Sequence, residues 1–186
     1  ESDENGLIEC YSMVMRDIVV FPHMVSPIFV VPGQNLIAIQ EAQYNDETMI
    51  ALVMKDPEIE NPTTEDFLPI GIEIAVGRLL NIPDGNNSAL IQGRRRVEIV
   101  EFVQTEPFYR VRARPIEEPT TVERQTEALM RTTRDLFERC VQLDRSLPEE
   151  AQLFSMNIHE PGWLADMVST AISLPFHERQ SLLMLV

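Results

Sequence analysis

The stretch IQGRRRVEIVEFVQTEPFYRVRARPIEE, residues 91–118, carries the two patterns that decide the architecture. Its Val- and Ile-rich first half continues a run from Ala89 to Val103, and Glu106-Pro107 supplies a turn. Phe108 to Arg114 then returns with Arg110, Arg112 and Arg114 on one face and Val111 and Ala113 on the other. Both halves are expected as β-strands. Pro115 and Pro119 bracket Glu117 and Glu118, and beyond them the apolar spacing becomes helical. The chain is therefore expected to divide into a β-rich lobe, residues 1–118, and a helical lobe, residues 119–186.

Upstream, Ile8 to Met15, Met49 to Met54 and Pro69 to Leu80 are also rich in Val, Ile and other apolar residues. They are separated by the turn formers Asp56-Pro57, Asn61-Pro62 and Pro83-Asp84-Gly85-Asn86-Asn87, so they too read as strands. One helix is expected among them, from about Gln34 to Gln43, carrying Leu36, Ile37 and Ile39. Short connections favour a compact, mainly antiparallel lobe, barrel-like or sandwich-like.

Downstream, Leu129, Thr133, Leu136, Cys140 and Leu143 recur at spacings of three and four along a helix predicted from about Thr121 to Leu143. Pro148, Pro161 and Pro175 each suit the first turn of a further helix. The second helix is expected to end near Met156, and the third to turn Leu164, Val168, Ala171 and Ile172 inward. Met130 and Met167 read as core filler. Short links favour an antiparallel bundle, so the fold class is α+β.

The 186 residues can supply an ordinary core, and 30 acidic against 15 basic side chains give a formal charge of −15. That sign argues against a phosphate backbone as the main partner. The two cysteines, Cys10 and Cys140, form no CxxC or zinc-finger spacing, so neither a disulfide framework nor a structural metal site is expected, which fits a reducing compartment. No apolar run approaches the roughly 20 residues of a membrane span, and Glu1-Ser2-Asp3-Glu4 does not resemble a signal peptide. A cytoplasmic protein is expected. The start at Glu1 and the apolar finish Leu182-Leu183-Met184-Leu185-Val186 suggest a fragment of something longer.

The only lysine, Lys55, has no glycine-rich loop around it, so no phosphate-binding P-loop can be drawn. Neither Lys55 nor His23, His159 or His177 sits in a nucleophile motif, and the histidines have no close companion for a metal. No catalytic, cofactor or metal residue is assigned. Arg94-Arg95-Arg96, with Arg110, Arg112 and Arg114, could form an anion patch. The simpler expectation is pairing across strands with Glu98, Glu101, Glu106, Glu117 and Glu118. Met24, beside Pro22, Val25 and Pro27, lies in a segment too proline-rich for an interior strand and is expected to be exposed.

MRDIVVFPHMVSPIFV, residues 15–30, resembles the opening of the amino-terminal domain of the Lon protease family. Residues 51–85, from ALVMKDPEIENP to NIPDG, resemble its next block, and residues 91–118 its arginine-containing strand, Glu-Pro-aromatic turn and returning strand. Pro161-Gly162-Trp163-Leu164-Ala165-Asp166 resembles a fourth phrase, in which Glu160 stands where the family usually has Asp. A second departure is Val31-Pro32-Gly33-Gln34, where the family usually has Gly-Arg.

The resemblance implies a β-rich pseudo-barrel lobe followed by a helical bundle lobe, with no catalysis of its own. It implies recognition of unfolded or degron-bearing proteins for an ATP-dependent serine (Ser-Lys) endopeptidase. ATP and Mg would belong to an ATPase module on the same chain, in a homohexamer. A bacterial cytoplasmic source is implied, with the mitochondrial matrix as the alternative. Substrate contact is expected from Phe21, Pro22, Met24, Val25 and Phe67, the alternative being that these side chains pack inside the lobe. Two other functions stay open: a stand-alone binding protein of the same domain type, and an RNA-binding module resting on the arginine cluster.

Overall fold

The computed structural model describes residues 4, 6–82, 86–118 and 123–186. The turn at 83–85 and the segment 119–122, where the lobe boundary and the expected start of the first long helix fall, lie outside the described residues. Seven strands form one sheet: β1 (Ile8–Met15), β2 (Val25–Val30), β3 (Met49–Val53), β4 (Ile70–Val76), β5 (Leu80–Asn81), β6 (Asn87–Gln104) and β7 (Arg110–Pro115).

The long strand β6 organises the sheet. It pairs antiparallel with β2, β4, β5 and β7, and its bulged registers let its two halves serve different neighbours. β7 pairs with β1, β1 with β3, and β3 with β4, so the path returns to β6 as a ring. One pair, β1 with β3, is parallel. The helix α1 (Gln34–Tyr44) lies in the crossover that a parallel pair requires. The Asn35 side-chain amide fastens α1 to β1, accepting from Val14 N–H and donating to the Val14 carbonyl, both at 2.9 Å.

β3 shows why an apolar run becomes a central strand. All five of its residues are buried, with Met49, Ala51 and Val53 in one apolar cluster and Ile50 and Leu52 in another. The first cluster includes Met13, Phe21, Ile39 and Ile72, and the second includes Phe67, Val97 and Val111. The segment expected as one strand from Pro69 to Leu80 is two, because residues 77–79 leave the ladder between β4 and β5. β2, not among the strands expected from the run pattern, is an edge strand, which agrees with its proline content.

The helical region comprises α2 (Arg124–Leu143), α3 (Glu149–Met156), α4 (Pro161–Ala171) and α5 (Phe176–Leu183). The inward stripe of α2 is Met130, Phe137 and Val141. Leu129, Leu136 and Leu143 of the expected stripe are exposed, as is Cys140, and Thr133 is half-buried. Two apolar stripes run side by side on this helix, and the one with the large Phe137 is the one its neighbours cover. Met130 meets Ile158 and Leu164, with Trp163, Met167 and Val168 against them. Leu164 is buried as expected, while Val168, Ala171 and Ile172 are only half-buried.

The bundle is α2, α3 and α4, which pack on one another. α5 instead joins the sheet: Leu183 is wholly buried in the first β cluster, with Phe176, Leu182 and Met184 beside it. The Gln180 amide donates to the carbonyls of Met54 at 2.7 Å and Lys55 at 3.0 Å. A buried ion pair adds a second tie, with Arg96 Nη1 and Nη2 on β6 donating to Asp166 Oδ2 and Oδ1 on α4 at 2.7 and 2.6 Å. Arg96 Nε also donates to the Leu183 carbonyl at 3.2 Å, so one guanidinium holds the sheet, α4 and α5 together.

Candidate functional site

Where the chain turns into β2, Met24 N–H donates back to the Phe21 carbonyl at 3.2 Å, and His23 adopts a left-handed backbone with φ 63°. The turn is pinned to β6 on both sides: His23 N–H donates to the Gly93 carbonyl and Gly93 N–H to the Met24 carbonyl, each at 2.9 Å. Only glycine fits at 93, because a Cβ there would overlap the Phe21 carbonyl oxygen. The residue between the first apolar run and the three arginines is therefore what lets the proline-rich segment lie against the sheet.

The pinned turn meets the helical region. The His23 ring lies 4.7 Å from the Trp163 ring, and Phe154 meets the other part of Trp163 edge-on at 6.0 Å. Between them runs a groove of about 500 Å³, with Pro22, Met24 and Val25 on one wall and Phe154, Trp163 and Met167 on the other. Glu150 is the only carboxylate among its lining residues. Such a lining can bury apolar side chains; it offers no arrangement for bond cleavage.

Of the five residues expected to contact substrate, Pro22, Met24 and Val25 line this groove, but only Val25 is exposed: Pro22 is buried, and Met24, expected to be exposed, is half-buried because it packs on the first β cluster. Phe21 and Phe67 do not line it. Phe21 is wholly buried in the first β cluster, and Phe67 is buried between Phe102 and Tyr109 at ring distances of 5.8 and 5.3 Å. As core residues they present no surface to a partner. The opposite wall of Phe154, Trp163 and Met167 was not among the expected contacts, although the chain's single tryptophan stands in the quoted Pro-Gly-Trp phrase. Nothing in the linear pattern brings that phrase next to Pro22.

Each of the six clustered arginines has a carboxylate partner. Arg94 and Arg95 share Glu73 at 3.9 and 2.7 Å, Arg96 has Asp166 and, at 3.8 Å, Glu118, and Arg114 has Glu98 at 2.7 Å. Arg110 and Arg112 share Glu9 at 3.1 and 3.5 Å, and Arg112 also reaches Glu101 at 3.8 Å. Of the five glutamates expected to pair with them, Glu98, Glu101 and Glu118 do so; among the described residues Glu106 and Glu117 form no ion pair with these arginines, and Glu9, Glu73 and Asp166 supply the remaining partners. The anion patch is thereby neutralised from within.

A cavity of about 720 Å³ opens beside Glu73, Arg94, Arg95 and Cys10. Burial, reinforced by Glu73 and then Glu47, pushes the Cys10 thiol up to about 11, which keeps it protonated and unreactive at neutral pH. A larger, open cleft of about 1120 Å³ lies at the far end of β2. Among the described residues there is no group of three or more His, Cys, Asp or Glu that could hold a metal ion, and no helix is long and apolar enough to cross a membrane.

The family described as the ATP-dependent protease La (LON) substrate-binding domain matches residues 9–185. Among curated proteins, the Lon protease of Azospirillum brasilense is 34% identical over 169 residues, which cover 91% of this chain and 21% of that protein. The Lon protease of Halothermothrix orenii is 32% identical over 177 residues, covering 95% and 23%. The chain thus spans little more than a fifth of the length of these relatives. Among solved structures, the N-terminal domain of the Mycobacterium avium complex Lon protease superposes with a TM-score of 0.75 at 20% identity, covering 96% of this chain and 91% of that one. A Lon N-terminal domain protein from Xanthomonas campestris superposes with a TM-score of 0.64 at 14% identity, covering 95% and 90%. At these identities the superpositions speak for the fold alone.

Proposed function

This chain belongs to the LON substrate-binding domain family, and from that premise we propose that it recognises unfolded or degron-bearing proteins for an ATP-dependent Lon-type serine protease. The observation that carries the proposal is the apolar groove between the Pro22–Val25 turn and Trp163. Its walls come from both lobes, and Val25 at 60% and Phe154 at 51% exposure leave apolar surface open to a partner. An exposed apolar segment of a damaged protein gains by burial there, and a folded protein has no such segment to offer.

Met24 and Val25 are the contact residues on one wall, seated on the buried Pro22 and joined by Trp163 and Phe154 on the other. In a hexamer several such grooves, each weak, would raise the local concentration of a substrate near the ATPase and peptidase modules of the parent protein. ATP and Mg would act in those modules, in the bacterial cytoplasm. The division into lobes at 118/119 belongs to the same proposal and is supported by the switch from strand to helix on either side of it.

The test is a titration of this chain with an unfolded model protein and with the same protein folded, followed by backbone NMR shifts at moderate salt. Shifts confined to the unfolded form and mapping to the groove support the proposal. Met24→Asp should abolish them, since it places a charge in an apolar wall. Unchanged binding by a folded Met24→Asp variant would remove the groove from consideration.

A further inference from the structure

β2 has one neighbour, β6; among the described residues no strand pairs with its other edge. Which backbone groups face that edge follows from the register. The Met24 carbonyl accepts from Gly93 N–H at 2.9 Å, and the same register pairs Ser26 with Ile91, Ile28 with Ala89 and Val30 with Asn87. On β6 the intervening Leu90 turns its carbonyl the opposite way, where it accepts from Gly77 N–H at 2.7 Å. Backbone groups alternate sides along a strand. Ser26, Ile28 and Val30 therefore bond to β6, and Val25, Pro27 and Phe29 point their backbone groups away from it.

The outward edge offers the N–H groups of Val25 and Phe29 and the carbonyls of Val25, Pro27 and Phe29. Among the described residues its one internal contact is a long hydrogen bond, 3.3 Å, from the Ser26 hydroxyl to the Pro27 carbonyl. Pro27 sits where its missing N–H costs the sheet nothing. Of the devices that ordinarily guard such an edge, charge, proline or cover, β2 (VSPIFV) has only Pro27 and carries no charged residue. Phe29 is 78% exposed, and Leu90, opposite Pro27, is also exposed.

The two ends of β2 open onto cavities of different character. Val25 lines the apolar groove described above, and residues 28–31 line the cleft of about 1120 Å³. That cleft holds Asp17, Glu60 and Glu106, while its one cation, Arg16, is occupied by the carbonyls of Pro57, Ile59 and Glu60. The acidic end calls for basic groups, and the exposed edge calls for an extended backbone.

We propose that the free edge of β2 captures substrate by strand addition: an extended segment of an unfolded protein, apolar at one end and carrying Lys or Arg at the other, hydrogen-bonds to Val25, Pro27 and Phe29. Six strand residues span about 20 Å, enough to thread the segment from the apolar groove to the acidic cleft. This mode rests on the substrate-binding reading and specifies the backbone and charge of what is bound.

The test uses a peptide of about seven residues, Val-rich at one end and Lys-rich at the other, and the same peptide with every backbone amide N-methylated. Side chains and charge are unchanged, so strand addition requires the methylated form to bind about tenfold more weakly or worse, and amide exchange at Val25 and Phe29 to slow with the parent peptide. Phe29→Pro and Phe29→Ala lose the same ring, but only the former loses the outward N–H; Phe29→Pro should bind the parent peptide several-fold more weakly than Phe29→Ala. Equal binding of the two peptides, or unchanged exchange at Val25 and Phe29, overturns the proposal even where the proline variant fails to fold. If the unfolded model protein still binds in that case, the edge alone is wrong; if it does not bind the unaltered chain either, the substrate-binding reading falls with it.

Discussion

Asp166→Ala should destabilise this protein by about 3 kcal/mol, although Asp166 lies outside every cavity wall described above. The carboxylate accepts two hydrogen bonds from Arg96, at 2.7 and 2.6 Å, and the two side chains are only 3% and 8% exposed. Removing one member of a buried pair typically costs about 3–5 kcal/mol, because the remaining charge stays buried without a counter-ion. Two groups lessen the loss here. The Leu183 carbonyl keeps its bond to Arg96 Nε, and Glu118, 3.8 Å away and 43% exposed, can move closer. The expectation therefore sits at the lower end of the range. For a urea dependence of about 2 kcal/mol per molar, the midpoint should fall by about 1.5 M. Unfolding is followed by circular dichroism and by the fluorescence of Trp163, the only tryptophan, which reports on the groove wall. The double variant Arg96→Met with Asp166→Leu should recover most of the loss, since it removes both charges and keeps apolar volume. A loss below about 1 kcal/mol for Asp166→Ala would mean that water reaches the pair. A double variant as unstable as the single one would show that packing, and not the uncompensated charge, sets the cost.

Phe137→Ala should cost about 3–5 kcal/mol and Leu136→Ala less than about 0.5, measured by the same denaturation, because adjacent residues on α2 are 2% and 55% exposed. Gly93→Ala should destabilise by about 1–3 kcal/mol or prevent folding, since the new Cβ meets backbone at Phe21; Gly162→Ala should be milder, because its Cβ meets only the Glu118 carboxylate, which can swing aside. Iodoacetamide at pH 8 should modify Cys140 promptly and Cys10 only after unfolding, read by mass spectrometry. Cys10 also gives a stability change with a definite sign: its folded pKa lies above the ordinary 9.0, so its contribution is complete below pH 9.0 and is lost as pH rises to about 11. A Cys10→Ala variant should lack that alkaline loss in denaturation measured across the same range.

The kinds of element and most of their limits were legible in the linear pattern of residues. Strand-like runs bounded by Pro, Asn and Asp became β1, β3, β4, β6 and β7, and proline positions marked the starts of α3, α4 and α5. This legibility is physical: a turn residue or a proline acts on its own backbone, and alternation along a strand is local. That the proline-rich segment is no interior strand and that Glu98 pairs with Arg114 were readable for the same reason, the latter because a hairpin places its residues opposite one another; the exposure expected of Met24 was not, since that side chain packs half-buried on the core. Which of two competing surfaces is covered depends on long-range packing that no local pattern carries. α2 carries two apolar stripes, and the position of α3 and α4 buries Phe137 while leaving Leu129, Leu136 and Leu143 in solvent. Phe21 and Phe67 went to the core, and Pro22 and Met24 to the groove, according to how the turn is held against Gly93. Asp166 lies 70 residues from its partner Arg96 on β6, and Trp163 lies more than 100 from His23 and Pro22, so their roles depend on α4 docking against the sheet. Hydrophobicity is nearly direction-free, and a linear pattern shows what can be buried; the neighbours that arrive in three dimensions choose what is.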